Sequence, residues 1–160
     1  MPPTVTDRDV DTPLSRPLLH RSILLLGIAA IAQAALAWSY RYHVDEWQHL
    51  KAAWSIAHGS LPYRDFFEHH TPGLWYLMAP WLAWARPELH PHRAVDFLHV
   101  VRLPFLAVWA VLLLLTWRLG RLHTGRSSTA WMATCMLAFT PMFVFKVLEI
   151  RPDGIAVALG

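Results

Sequence analysis

Three long apolar runs divide this chain and leave it few ways to fold. They cover residues 18–38, 97–117 and 127–147, and each is about as long as the roughly 20 residues that a helix needs to cross a bilayer. Charged residues make up 16% of the chain, against roughly 25% in soluble domains, and they lie mostly between the runs. We therefore predict an all-α membrane protein with three transmembrane helices and, from Gly154 onward, the start of a fourth.

The first apolar run has two interpretations. The sequence Ala-Leu-Ala at residues 35–37 fits a signal-peptidase site, so the run could be a cleaved signal. It is longer than the roughly 7–15 residues of a signal core, and Trp38, Tyr40 and Tyr42 follow it as aromatic anchors do at a membrane interface. We expect an uncleaved helix, preceded over residues 1–17 by a polar, Pro-rich tail that is disordered and cytoplasmic.

The charge pattern predicts the topology. The loop at residues 118–126 is rich in arginine and has no acidic residue, so it should be cytoplasmic, as should the basic N-terminal flank. An even number of crossings must separate them. The run at residues 73–85 reaches only about 20 Å and does not cross. Residues 39–96 would then form an extracytoplasmic loop with two interfacial helices, which a turn at residues 59–62 separates.

Two adjacent carboxylates, Asp45 and Glu46, open the first helix of this loop. Acidic residues complement the dipole at a helix N-terminus, which is one explanation for them. The other is catalysis, because a carboxylate that faces a substrate can act as a general base. His49 lies one turn further on, so Asp45 and His49 share a helix face and could share a metal ion or a proton. The spacing is not that of a zinc protease, because the first position is Asp rather than His.

A second polar cluster lies between aromatic residues in the segment YRDFFEHHTP. Surface ion pairs in a solvated loop are one interpretation, and such pairs stabilise a fold only slightly. Polar groups held beside a membrane are, by default, candidates for function. Arg64, His69 and His70 are candidates for binding a phosphate. Glu68 together with a histidine, such as His49, is a candidate for binding a divalent ion, and spacing alone leaves these choices open.

A third cluster is formed by Arg151 and Asp153 on either side of a proline, which marks a helix boundary. A helix cap and an interfacial anchor are one interpretation. The third apolar run would, however, return this segment to the outer face. Asp153 could then lie opposite Asp45 as a second carboxylate, and Arg151 could bind a phosphate.

The order of these elements resembles the C-type (GT-C) membrane glycosyltransferases, in the bacterial branch related to protein O-mannosyltransferases and lipid A aminoarabinose transferases. The resemblance rests on Asp45-Glu46 at the start of the outer loop, the sequence PYRDFFEHHTP at residues 62–72, and the aromatic helix that follows. It covers residues 20–160, which correspond to the N-terminal part of a longer fold. The sequence departs from the family at Gly73, where a bulky apolar residue is common.

The resemblance implies transfer of a sugar from a polyprenyl-phosphate carrier to a glycan, lipid or protein acceptor at the outer face of a bacterial inner membrane. It implies that Asp45 activates the acceptor, that Glu68 is linked to a metal ion or to the donor phosphate, and that Asp153 lies near the same site. A divalent metal ion is the only cofactor expected. Nucleic acid is not expected as a partner, because the basic residues form no single patch.

The runner-up hypothesis is a non-catalytic membrane assembly or scaffold protein, or an inactive remnant of an enzyme. In that case the polar residues of the outer loop would tolerate alanine without loss of function. A transporter is disfavoured, because the apolar runs have almost no ionisable residues near their centres.

Overall fold

The computed structural model describes residues 16–159, and this part of the chain is helical, without strands. The all-α prediction is confirmed for these residues, whereas most of the predicted N-terminal tail (residues 1–15) lies outside them. The helices are α1 (Arg16–Ser39), α2 (Val44–Ala57), α3 (Gly73–Ala85), α4 (Pro91–Val100), α5 (Leu103–Thr124), α6 (Ser127–Ala138), α7 (Pro141–Lys146) and α8 (Pro152–Leu159).

Two stretches are long and apolar enough to cross a membrane within the described residues. They are α1 and the stretch Pro91–Thr124, which joins α4 and α5 through a short turn. Only 22% and 28% of their most apolar windows are buried inside the protein, so most of their apolar side chains are left uncovered. The prediction of three spans and the start of a fourth is therefore reduced to two candidate spans.

The third predicted span is interrupted. α6 ends at Ala138 and α7 begins at Pro141, and Thr140 between them has an extended backbone (ψ 118°). Proline lacks the N–H that would continue the hydrogen-bond ladder, and its ring disfavours helical geometry in the residue before it. The single helix predicted over residues 127–147 is therefore two short helices on either side of this break.

The second predicted span begins differently from the expectation. Residues 86–96 were assigned to the polar loop, yet α4 already begins at Pro91. The helix then breaks at Val101 and Arg102 before α5 starts with Pro104 in its first turn, a position where proline costs no hydrogen bond. The break places Arg102 at a corner of the protein instead of inside a continuous helix.

The two short helices predicted in the loop are both present, as α2 and α3. They pack through small and apolar residues: Ala52 and Ala53 of α2, and Leu74, Trp75 and Met78 of α3, are all buried. The predicted turn after α2 contains a glycine (residue 59) with φ of +88°, a conformation that glycine adopts at little cost. α3 therefore folds back against α2, and this pair together with the segment that joins it carries seven of the nine predicted site residues.

α5 and α6 form a helical hairpin around the turn at Gly125, where φ is +66°. Their axes come very close at Gly120, because a Cβ atom on this residue would lie 3.0 Å from the Cα of Ala130. α1 packs against both helices of the hairpin. The start of α5 and the segment before α8 then meet the end of α1 and the start of α2, and the candidate site lies at this junction.

Candidate functional site

Arg102 and Glu46 form an ion pair in the interior of this junction. Nε of Arg102 donates to Oε1 of Glu46 at 2.9 Å and Nη2 donates to Oε2 at 2.6 Å, while the side chains are 1% and 0% exposed. The guanidinium also donates to the carbonyl groups of Tyr40 (2.7 Å) and Arg41 (3.2 Å), and its carbon lies 4.0 Å from the ring centre of Tyr42. One cation thus joins the end of α1, the start of α2 and the α4–α5 corner.

Glu46 accepts two further hydrogen bonds from the backbone. The N–H of His43 donates to it at 2.8 Å, which closes a capping box at the start of α2, and the N–H of Ile150 donates to it at 3.1 Å. Both carboxylate oxygens are therefore occupied and closed to solvent. We assign Glu46 a structural role and leave it out of the chemistry proposed below.

Asp45 and Asp153 both contact Arg151. Nη1 of Arg151 lies 3.1 Å from Oδ2 of Asp45 and 3.3 Å from Oε2 of Glu149, and Nε lies 3.1 Å from Oδ2 of Asp153. Lys146 neutralises the other oxygen of Glu149 at 2.8 Å. Three carboxylates thus lie around two cations. These carboxylates largely neutralise the charge of Arg151, which is therefore not available to bind a phosphate.

Asp45 is the member of this cluster that combines a fixed position with access to solvent. Its side chain is 34% exposed, whereas that of Glu149 is 5% exposed. It lies in the first turn of α2, where its charge complements the helix dipole. Asp153, in the first turn of α8, is 66% exposed.

His49 lies one turn after Asp45 and is 1% exposed. Nε1 of Trp75 donates to its Nδ1 at 3.0 Å, while Nε2 is buried and has no hydrogen-bond partner in the part of the chain described. Burial lowers the pKa of His49, and His70 lowers it further, against smaller opposing effects of Glu68 and Asp45. The ring is thus held in its neutral form.

The metal role expected for His49 does not agree with this geometry. An indole N–H can only donate, so Nδ1 of His49 must accept and the single proton of the neutral ring lies on Nε2. A nitrogen that carries a proton has no lone pair for a metal ion. His49 is therefore an oriented hydrogen-bond donor in this structure.

Glu68 is 7% exposed and accepts several hydrogen bonds. Its donors are the side chain of Gln48, the N–H of His69 at 2.9 Å and Nδ1 of His70 at 3.1 Å. Burial would raise the pKa of Glu68, but these hydrogen bonds outweigh burial and lower it. Atoms of Glu68, His69 and His70 lie within 4.8 Å of one another, which is compact enough for one divalent ion.

Arg64, a predicted phosphate ligand, is paired with its neighbour in the chain. Its Nε and Nη2 donate to the two oxygens of Asp65 at 2.8 and 2.7 Å. Asp65 also accepts from the N–H of Leu61 at 2.8 Å, and these bonds, chiefly the one from Arg64, lower the pKa of Asp65 to about 2. The exposed Arg64 and Asp65 thus form a local turn, which no contact joins to the Arg151 cluster among the described residues.

An apolar cavity of about 370 Å³ lies between α3, α4, α5 and α8. Its walls include Met78, Trp81, Phe97, Phe105 and Ile155. Ile155 is two residues from Asp153, and the cavity wall also includes Val101, next to Arg102. An apolar pocket therefore adjoins the polar junction.

Sequence reasoning missed three residues that build this junction: Arg102, Trp75 and Gln48. Arg102 carried a usable signal, because a lone arginine inside an apolar run usually faces a buried partner. Trp75 and Gln48 carried none, since only the packing of α3 and of the loop onto α2 gives them their partners.

No family model, no curated protein and no solved structure matches this chain. The function is therefore argued from its own residues.

Proposed function

We propose that this chain is a membrane glycosyltransferase that moves a sugar from a polyprenyl-phosphate carrier to a hydroxyl group of an acceptor. The observation that carries the proposal is the position of Asp45. It is a partly exposed carboxylate, paired with Arg151, which also contacts Asp153, and it follows α1, one of two stretches long enough to span a membrane.

The reaction follows from the chemistry of a carboxylate base. As the acceptor oxygen attacks the anomeric carbon, its proton passes to Asp45. A new carbon–oxygen bond forms, and the bond between the anomeric carbon and the phosphate oxygen breaks. The leaving phosphate takes the electron pair, and the attack on the opposite face inverts the configuration of the sugar.

The surroundings of Asp45 support a lipid-linked donor. The apolar cavity beside the junction has a volume of about 370 Å³, which suits part of a prenyl chain. A divalent ion at Glu68, His69 and His70 would supply positive charge for the leaving phosphate. This matters because Arg64 and Arg151 are already paired with carboxylates.

The proposal is tested by Asp45→Asn, introduced into the native gene, with envelope glycans quantified by mass spectrometry. The amide keeps the shape but cannot take the proton, so we expect the transferred sugar to fall at least about 100-fold. The matched control is Asp96→Asn on the exposed side of α4, which should leave the glycans unchanged.

The competing hypothesis is a membrane assembly or scaffold protein. It requires that Asp45→Asn accumulate in the membrane with an unaltered glycan profile. A normal glycan profile in the variant would reject the transferase proposal.

A further inference from the structure

The imidazole of His49 presents a hydrogen-bond donor that nothing in the described part of the chain uses. Its Nδ1 accepts from Trp75, so the proton lies on Nε2. That nitrogen is buried and unpartnered. Native proteins rarely leave a buried polar atom without a hydrogen bond, and such atoms are frequently found at functional sites.

The charges around His49 determine which chemical groups can accept a hydrogen bond from its Nε2. Asp45, Glu68, Arg151 and His70 are the groups whose charges act on its ring. Two of these are carboxylates, and Arg151 is already shared among three carboxylates. An anion brought to Nε2 would be repelled by Asp45 and Glu68, whereas a neutral hydroxyl group would not.

A hydroxyl group also complements the two functional atoms on this face of α2. Asp45 and His49 are four residues apart, so their side chains lie on the same face one above the other. Asp45 can only accept a hydrogen bond and Nε2 of His49 can only donate one. A hydroxyl group does both, because it has one proton and two lone pairs.

We propose that Asp45 and His49 together bind one hydroxyl group of an uncharged, polyol-type acceptor. The hydroxyl proton points to the Asp45 carboxylate, and one lone pair accepts from Nε2–H of His49. The second lone pair is left free to attack the anomeric carbon. This inference rests on the proposed transferase function and adds to it a binding residue, His49, and a chemical class of acceptor.

The ring of His70 lies against that of His49. The two rings pack edge-to-face, with 4.7 Å between ring centres, and Nδ1 of His70 is held by Glu68 at 3.1 Å. The side chain of His70 is 22% exposed, so it can swing toward solvent. Because Nε2 of His49 is buried, a hydroxyl group reaches it only through local movement of the side chains that cover it.

Two substitutions distinguish the role of His49 as a hydrogen-bond donor from its role in packing. In His49→Gln the side-chain amide nitrogen reaches the place of Nε2 and keeps a donor there. In His49→Asn the shorter amide can still accept from Trp75 but offers no donor at the place of Nε2. Both variants keep a polar partner for the indole of Trp75, so comparable folding is expected.

The test uses the 160-residue chain, labelled with ¹⁵N-histidine, in lipid nanodiscs. Two-bond ¹⁵N–¹H spectra report which ring nitrogen carries the proton, and His49 is assigned by the signal lost in His49→Asn. We expect an unprotonated Nδ1 and a protonated Nε2, and the Trp75→Phe variant should lose this preference. A protonated Nδ1 in the unaltered chain would overturn the proposal.

The same samples are then titrated with methyl α-mannopyranoside, methyl β-galactopyranoside, methyl α-arabinofuranoside and, separately, inorganic phosphate. We expect at least one glycoside to shift the Nε2 signal of His49. Affinity for that glycoside should fall about tenfold in His49→Asn and stay within about threefold in His49→Gln. A shift with phosphate alone, or with none of the four probes, overturns the proposal.

Different experimental results would reject the transferase function and the role of His49. If His49→Asn binds the glycoside as well as the unaltered chain does, while Asp45→Asn still abolishes glycan transfer in cells, only the role of His49 is lost. If Asp45→Asn leaves transfer intact, the transferase function itself is rejected, whatever the spectra of His49 show.

Discussion

Arg102 and Glu46 lie 56 positions apart in the sequence and meet through two hydrogen bonds of 2.9 and 2.6 Å in a region closed to solvent. Arg102 also holds the carbonyl groups that follow α1, and Glu46 caps α2 and receives the N–H of Ile150. This pair connects four segments, so the geometry around Asp45 depends on it.

Breaking this pair should destabilise the fold strongly. Arg102→Met leaves the carboxylate of Glu46 buried without its cation, and losses of about 3–5 kcal/mol are typical for such changes. Thermal unfolding in detergent micelles, followed by circular dichroism, should show a large drop in the midpoint.

The exposed Glu88→Gln serves as the control and should leave that midpoint nearly unchanged. The double variant Arg102→Met with Glu46→Leu removes both charges and should recover part of the loss. An Arg102→Met protein as stable as the unaltered chain would contradict a structural role for the pair.

The close approach of α5 and α6 predicts the effect of a single methyl group. In Gly120→Ala the new Cβ would lie 3.0 Å from the Cα of Ala130 and 3.1 Å from its Cβ. Backbone atoms cannot yield as a flexible side chain does, so the helices must separate, at a cost of about 1–3 kcal/mol.

Gly27→Ala is a matched control for this prediction, because a Cβ there would meet nothing within 4 Å. It lies within α1 and should be neutral or stabilising by up to about 1 kcal/mol. Equal midpoints of thermal unfolding for the two alanine variants would argue against tight packing at Gly120.

Tyr42 should ionise unusually late. Burial raises its pKa to about 12, with Arg102 opposing and Glu46 adding to the shift. A phenol in the unfolded chain ionises near pH 10, so the unfolded state loses its proton first as pH rises. The contribution of Tyr42 to stability is therefore fully present below about pH 10 and is lost as the pH rises toward 12.

Absorbance of tyrosinate measured against pH checks this assignment. Tyr42→Phe should remove the component that appears near pH 12 in the folded protein, while Tyr76→Phe, on the exposed side of α3, should leave it. Loss of the late component in Tyr76→Phe instead would show that the wrong tyrosine had been assigned.

The group of Glu68, His69 and His70 predicts binding of one divalent ion. Isothermal titration of the chain with Zn²⁺ should show binding at this group, and Glu68→Gln and His70→Ala should each weaken that binding at least about tenfold. His58→Ala is the control, because His58 is paired with Glu88 elsewhere on the surface. Identical isotherms for all three variants would remove the ion from the proposed mechanism.

The sequence predicted helices where local signals agree. α2 was predicted from the spacing of its apolar residues, α3 from its apolar run, and their separation from the turn at residues 59–62, and the structure has both helices. The end of α1 also agrees within a residue. For α2, the period of apolar residues and the nearby turn point to the same boundary, so no distant contact is needed to place it.

The sequence-based predictions that differ from the structure do so for two physical reasons. The third span was predicted as one helix over residues 127–147, but a proline without a compensating partner ends a helix, and Pro141 divides this segment into α6 and α7. The corner at Arg102 is a tertiary effect, because the helix breaks where the guanidinium turns inward to Glu46. Likewise, His49 looked like a metal ligand until its indole partner was known.

The hydrogen bond from Ile150 to Glu46 spans 104 positions, and this has a consequence for the order of events during synthesis. Of these three residues, Glu46 is synthesised first, Arg102 later and Ile150 last. Until residue 150 has emerged, one oxygen of Glu46 lacks its final donor and Asp45 lacks Arg151. In a nascent chain arrested before residue 150 has emerged, the loop at residues 39–96 should therefore be cleaved by protease. In a chain arrested after residue 151 has emerged, the same loop should be protected.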